Sequence, residues 1–251
     1  MFVFHSQQGE DIFILQNFIN QPVIDGFYVE IGALDGIRYS NSYFFEKYFG
    51  FRGMLVEAQH HMFRSLKSYR PNNILINKAI STSSNPVEFI GHDPCGGVKD
   101  TMPHKHMQAW HKNAKTYQVE TDRFDKLFDF HNINYVDFMV IDVEGGELDV
   151  LYTIDFSKVQ IYIICIELDG QNIIKDNHCR KLLREHGFTL YQKLCGNEFW
   201  VNEKYERKDR LFDKTLKKQF SGIDTRRRHS NCGFHHDVEL HLIDEINSVL
   251  K

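Results

Sequence analysis

The stretch Phe27-Tyr-Val-Glu-Ile-Gly-Ala-Leu-Asp-Gly36 decides the fold of this chain. An apolar, β-rich run stops at glycines, and Ser40-Asn41 then opens an aromatic helical pattern that ends at Gly50. The pattern reads as strand, tight loop and helix. A second strand, Gly53-Met-Leu-Val-Glu-Ala58, carries Glu57 near its end, 21 residues after Gly36. A ribose-binding acid in a βαβ nucleotide fold is expected at ~20 residues. Each part has a chemical reason. Glycines let backbone approach a nucleoside closely, because no Cβ intervenes. A helix N-terminus offers unpaired N–H groups, and a carboxylate accepts both ribose hydroxyl protons. The alternative is a glycine turn and an exposed Glu in an ordinary α/β protein.

The spacing also separates ligands. A dinucleotide fingerprint needs Gly-x-Gly-x-x-Gly for its pyrophosphate, whereas this loop is Gly32-x-x-x-Gly36 with Leu34 at the middle position. S-adenosyl-L-methionine has no phosphate. It needs room for its methionine part, an acid for the ribose and an apolar slot for adenine. Glu30 suits its ammonium group, and Asp35 is a second candidate. In an NAD site both carboxylates would repel the phosphates.

The rest of the chain extends this reading. Ser6 is a candidate N-cap for a short helix with Ile12, Leu15, Phe18 and Ile19 on one face. A third buried strand is expected over residues 73–80 and a short extra one over 87–90. Residues 91–115 hold glycines, prolines and histidines without a sustained period, which predicts a long loop or lid. Thr121 is expected to cap a helix carrying Phe124, Leu127 and Phe128. Val136 to Asp142 and Ile161 to Leu168 read as buried strands, with a helix over 173–186 between the second and a closing hairpin at 189–201. The expected fold class is therefore α/β: a Rossmann-like doubly wound, seven-stranded, mostly parallel sheet with an antiparallel C-terminal hairpin.

Composition bounds the function. At 251 residues the chain supports one substantial core, read as a domain over 1–213 plus a basic extension over 214–251 that ends in a short helix at 238–250. A formal net charge of −4 gives no global basic field, so neither nucleic acid nor membrane is an expected partner. The first ten residues lack a signal-peptide pattern. The five scattered cysteines contain no Cys-x-x-Cys pair and suit free thiols in a cytoplasmic, reducing compartment. In the tail, His229-x-x-Cys232-x-x-His235-His236 lacks zinc-finger spacing, and Arg226-Arg-Arg228 reads as a solvated basic patch.

Four motifs together resemble the FkbM family of S-adenosylmethionine-dependent methyltransferases. They are Ser6-Gln7-x-Gly9-Glu10-Asp11; Glu30-Ile-Gly32-Ala33 with Gly36, Ser40, Asn41 and Glu46; Glu57; and Ile141-Asp-Val-Glu-Gly145-x-Glu147. The resemblance implies a seven-stranded methyltransferase sheet and O-methylation, often of sugars or natural products. The candidate cofactor residues are Glu30, Gly32, Ala33, Asp35, Gly36, Ser40, Asn41, Glu57, Ala58 and Asp142. The acceptor is expected to be a small molecule or glycan. Competing readings are an NAD(P)-dependent oxidoreductase or epimerase, and a methyltransferase-like module that binds without catalysis.

Three acids are candidates for the chemistry. Asp142 ends a buried strand, where open α/β sheets bind ligands, and Glu144 and Glu167 could share the work of taking the acceptor's proton. The structural alternative is that Asp142 caps the next helix while Glu144 and Glu147 complement its dipole; for Glu147 that role is preferred. Glu167 and Asp169 could join Asp142 around Mg²⁺, although no metal spacing supports it and no metal site is assigned. His104, His106 and His111 are candidate bases in the lid or, alternatively, exposed loop histidines.

Overall fold

The computed structural model describes residues 2–220 and 236–238. In chain order, β1 (Phe2–Phe4) and α1 (Glu10–Asn17) precede β2 (Phe27–Ile31), α2 (Tyr43–Phe49), β3 (Arg52–Val56), α3 (His60–Tyr69) and β4 (Ile74–Ile76). An insertion follows, with β5 (Ala79–Ile80), β6 (Val87–Ile90), β7 (Gly97–Val98), α4 (His104–Trp110), β8 (Thr116–Val119) and β9 (Thr121–Asp122). The chain then returns through α5 (Phe124–His131), β10 (Tyr135–Ile141), α6 (Glu147–Tyr152), β11 (Gln160–Glu167), α7 (Ile173–Glu185), β12 (Thr189–Leu194) and β13 (Asn197–Val201). α8 (Lys217–Phe220) and β14 (His236–Val238) come last.

One mixed sheet of seven strands, in the order β12-β13-β11-β10-β2-β3-β4, organises the molecule. β11, β10, β2, β3 and β4 run parallel; β13 is antiparallel to β11, and β12, antiparallel to β13, runs with the parallel set again. The parallel strands are apolar on both sides because both faces are covered. Phe138 and Val140 face a layer rich in aromatic rings, including Phe44, Phe45 and Phe51. Met139 and Ile141 face the opposite layer, with Phe124, Leu151 and Leu183.

The structure departs from several sequence expectations. The strand expected over 73–80 is split, because Asn77 turns in to donate to the carbonyls of Glu57 and Ala58. β5 then pairs with β9 outside the main sheet. The expected loop over 91–115 contains β7 and α4, and β6, β7 and β8 form an antiparallel sheet of three strands. Strands of two to four residues carry too little alternation to be read from sequence. Ser6 does not cap α1; its hydroxyl bonds Asp11 at 2.5 Å, and Gly9 holds the cap position. Thr121 lies in β9 and bonds the Ser83 carbonyl, so α5 starts after Arg123.

Val238, expected to begin a terminal helix, instead pairs with Phe2 at the end of β14. The remainder of that helix, Arg226 to Arg228 and the tail cluster His229, Cys232, His235 and His241 lie outside the described residues. Among the described residues no helix is long and apolar enough to cross a membrane.

Candidate functional site

Strand register assembles the site. Ile31, Val56, Ile141 and Ile166 share one row across β2, β3, β10 and β11. The next residue on each strand is Gly32, Glu57, Asp142 and Glu167, so these four stand together at the carboxyl edge. The chain runs outward from β2 to β4 and resumes on the other side of β2 with β10. That reversal is where open α/β sheets bind ligands. A cavity of about 410 Å³ opens there, a size suited to a small organic ligand.

Glu57 is 2 % exposed. One carboxylate oxygen accepts the Leu34 N–H at 2.8 Å and the other the Gln59 N–H at 2.7 Å. Burial pushes its pKa up to about 7, against those two N–H bonds, which pull it down. The Gln59 side chain also bonds this carboxylate, which leaves it one acceptor position for a further donor. Ala58, Ala79, Ile80, Phe89 and Val98 line an apolar stretch of the same cavity. The last four come from the insertion and were not anticipated from sequence.

Of the candidate cofactor residues, Glu30, Gly32, Asn41, Glu57, Ala58 and Asp142 line the cavity; Ala33, Asp35, Gly36 and Ser40 do not. Asp35 turns back to accept the N–H groups of Ile37 and Arg38. A Cβ on Gly36 would meet Leu66 at 2.6 Å and Arg70 at 3.0 Å, so its bareness serves the packing of α3. A Cβ on Gly32 would stand 2.0 Å from the Asp142 carbonyl oxygen, and φ there is +79°. Glycine at 32 thus lets β10 approach β2 at the site, a stricter demand than room for a ligand. Ser40 acts from behind: its hydroxyl and that of Ser42 donate to Glu30 Oε2, while the Asn41 N–H donates to Oε1 at 2.6 Å.

Asp142, Glu144 and Glu167 converge, each offering a carboxylate oxygen within 4.8 Å of the others. Asp142 and Glu167 are hydrogen-bonded to each other. Burial, then the charges of Glu147 and Glu10, push Asp142 up to about 7. Glu167 is raised further, by the charge of Asp142 first and burial second. Glu144, in a left-handed turn at φ 57°, is raised by burial and then by Asp142. Three neighbouring carboxyls can hold shared protons, or a divalent cation in their place. Asp169 does not join them; it bonds Gln171. Glu147 is structural: it is fully buried, accepts the Gly145 N–H at 3.0 Å and pairs with Lys175.

Sequence reading missed one support of the site, Arg70, and left the lid histidines open between candidate bases and exposed residues. Arg70, fully buried, donates to the Gly36 carbonyl, Ser40, Ser42, Tyr28 and Glu46, tying the end of α3 to the loop after β2. His106 and His111 are buried rather than exposed, and both Nε2 atoms reach the Cys95 carbonyl, at 3.2 and 2.6 Å. His106 Nδ1 lies 3.3 Å from Glu144. His104 is exposed. Gln7, Gln8 and Glu10 also line the cavity; the Ser6-to-Asp11 motif was the signal for them, but it gave them no role.

Residues 30–190 match the family model of the Methyltransferase FkbM domain. No curated protein matches the chain. A solved structure described as a candidate rRNA-methylase from Clostridium thermocellum is similar at 10 % identity, covering 78 % of this chain and 96 % of its own, with a TM-score of 0.38.

Proposed function

Because the chain belongs to the FkbM methyltransferase family, we propose that it transfers a methyl group from S-adenosyl-L-methionine to a hydroxyl of a sugar, a glycan or another small molecule. The acidic lining of the cavity carries this reading. Six acidic side chains line it, Glu10, Glu30, Glu57, Asp142, Glu144 and Glu167, and those that burial and their neighbours hold protonated ionise more readily beside a cation. Lys78 is the one Lys or Arg among the lining residues, and Asp122 already pairs with it at 2.7 Å. Such a cavity favours a ligand with a sulfonium and an ammonium group. It disfavours the pyrophosphate of NAD, the ligand of the competing oxidoreductase reading.

The residues fit the cofactor part by part. The remaining acceptor position of Glu57 suits a ribose hydroxyl, and Ala58, Ile80 and Phe89 suit adenine. When bound, the cofactor supplies an electrophilic methyl on sulfur. Asp142, hydrogen-bonded to Glu167, is placed to orient the acceptor hydroxyl and take its proton, with Glu144 sharing that work. Near pH 7 a carboxyl raised to about 7 exchanges a proton readily in either direction. The same three acids would offer oxygen ligands to Mg²⁺.

The proposal extends to the frame: a Rossmann-like, class I methyltransferase sheet within a domain over 1–213, working in the cytoplasm on acceptors other than nucleic acid or membrane. Two measurements test the function. Thermal shift should show stabilisation by S-adenosylmethionine and S-adenosylhomocysteine and none by NAD or NADP. Mass spectrometry should show a methyl gain on a hydroxyl acceptor from a panel of sugars, glycans and small alcohols, run with and without Mg²⁺. Stabilisation by NAD alone would overturn the reading.

A further inference from the structure

The N-terminal motif lines the cavity, and the proposed chemistry leaves it without a task. We infer that Gln8 and Asn41, with Glu30, hold the α-ammonium group of the cofactor's methionine part. The inference rests on the proposed use of S-adenosylmethionine. A parallel bridge joins Ser6 to Tyr39, so two segments leave it in the same direction. Gln8 and Asn41 each lie two residues beyond that bridge. Both line the cavity. Both carry a buried amide oxygen with no hydrogen-bond partner, an arrangement that is costly unless a donor arrives.

The backbone behind each oxygen is fixed. The Gln8 N–H donates to Glu10 at 2.9 Å, and Glu10 also accepts from Asn197. The Asn41 N–H donates to Glu30 Oε1. Glu30 Oε2 takes both serine hydroxyls, so Glu30 keeps one acceptor position, on Oε1. Glu30 therefore cannot satisfy an ammonium group alone. Together with Gln8 and Asn41 it offers three acceptors for three N–H donors. The charges of Glu30 and Glu10 beside them select a cationic donor over a neutral hydroxyl.

Calorimetry with three probes tests this: S-adenosylhomocysteine, its decarboxylated analogue, which keeps the ammonium, and 5′-methylthioadenosine, which lacks the amino-acid part. Gln8→Ala and Asn41→Ala should each weaken the first two by about ten- to a hundred-fold and leave the third unchanged. Gln8→Glu should bind the first two at least as tightly as wild type, which separates lost charge recognition from a damaged fold. Equal weakening of all three probes would overturn the inference, because the side chains would then be supporting the loop. So would a loss confined to S-adenosylhomocysteine, which would assign them to the carboxylate, or no loss at all. If the wild-type protein binds none of the probes, the cofactor reading itself fails, and the inference with it.

Discussion

Glu57→Gln removes one charge from the proposed ribose site, and the surroundings of that charge set the size of the effect. Burial holds Glu57 at about 7 against a reference of 4.5. A raised carboxyl contributes stability that is fully present below pH 4.5 and is lost as pH rises through about 7. That shift corresponds to about 3 kcal/mol against the ionised form in the free protein. A ribose hydroxyl donating to the carboxylate favours the ionised form, so binding must release a proton. Wild-type affinity for S-adenosylhomocysteine should therefore fall about tenfold from pH 8 to pH 6 through this group. At pH 8 Glu57→Gln should bind about ten- to a hundred-fold more weakly, with a smaller penalty at pH 6. The amide also presents an NH₂ to either the Leu34 or the Gln59 N–H, which could loosen the loop. A ligand pair separates the two effects. Wild type should discriminate adenosine from 2′,3′-dideoxyadenosine, and the variant should lose that discrimination. If Glu57→Gln weakens both nucleosides equally and keeps the discrimination, Glu57 supports the loop and the ribose lies elsewhere.

Asp142→Asn should lower methyl transfer about a hundred- to ten-thousand-fold with a much smaller change in calorimetric affinity for S-adenosylhomocysteine; near wild-type turnover would reassign the base. Gly32→Ala should destabilise by about 2 kcal/mol or more, because its Cβ meets the Asp142 carbonyl oxygen in a left-handed turn; a shift under about 0.5 kcal/mol in urea unfolding contradicts the packing argument. His106→Asn keeps a polar atom near the Nδ1 position facing Glu144, whereas His106→Gln keeps one near Nε2, toward Cys95. If the Glu144 contact matters to turnover, Asn should retain more activity than Gln, and the reverse order would make His106 a lid anchor.

How much was legible in the sequence depends on how local the cause is. Gly32, Glu57, Asp142 and Glu167 each stand at the end of an apolar run, and such a run ends where side chains leave the buried sheet. Their common placement at the carboxyl edge was therefore readable from pattern alone. The reasons for the glycines were not. Gly36 is bare for the sake of Leu66 and Arg70, and Gly32 for the sake of the Asp142 carbonyl, contacts that exist only once distant segments meet. Arg70 was hidden for the same reason: its bond to the Gly36 carbonyl spans 34 residues. The short strands of the insertion were hidden because alternation over two to four residues is indistinguishable from loop sequence.

The property that best discriminates among ligands belongs to no single segment. Each of the six cavity acids, read alone, has an ordinary use as a helix cap, a dipole partner or a solvated charge. Register brings β2, β3, β10 and β11 level, the N-terminal turn folds across them, and the six then face one cavity with one paired lysine. From that point the acids act on one another: Asp142 raises Glu167, and Glu10 adds to the burial that raises Asp142. A cationic ligand relieves this repulsion, whereas a pyrophosphate adds to it. The proposed preference for a sulfonium cofactor therefore rests on the sheet register as much as on the glycine loop.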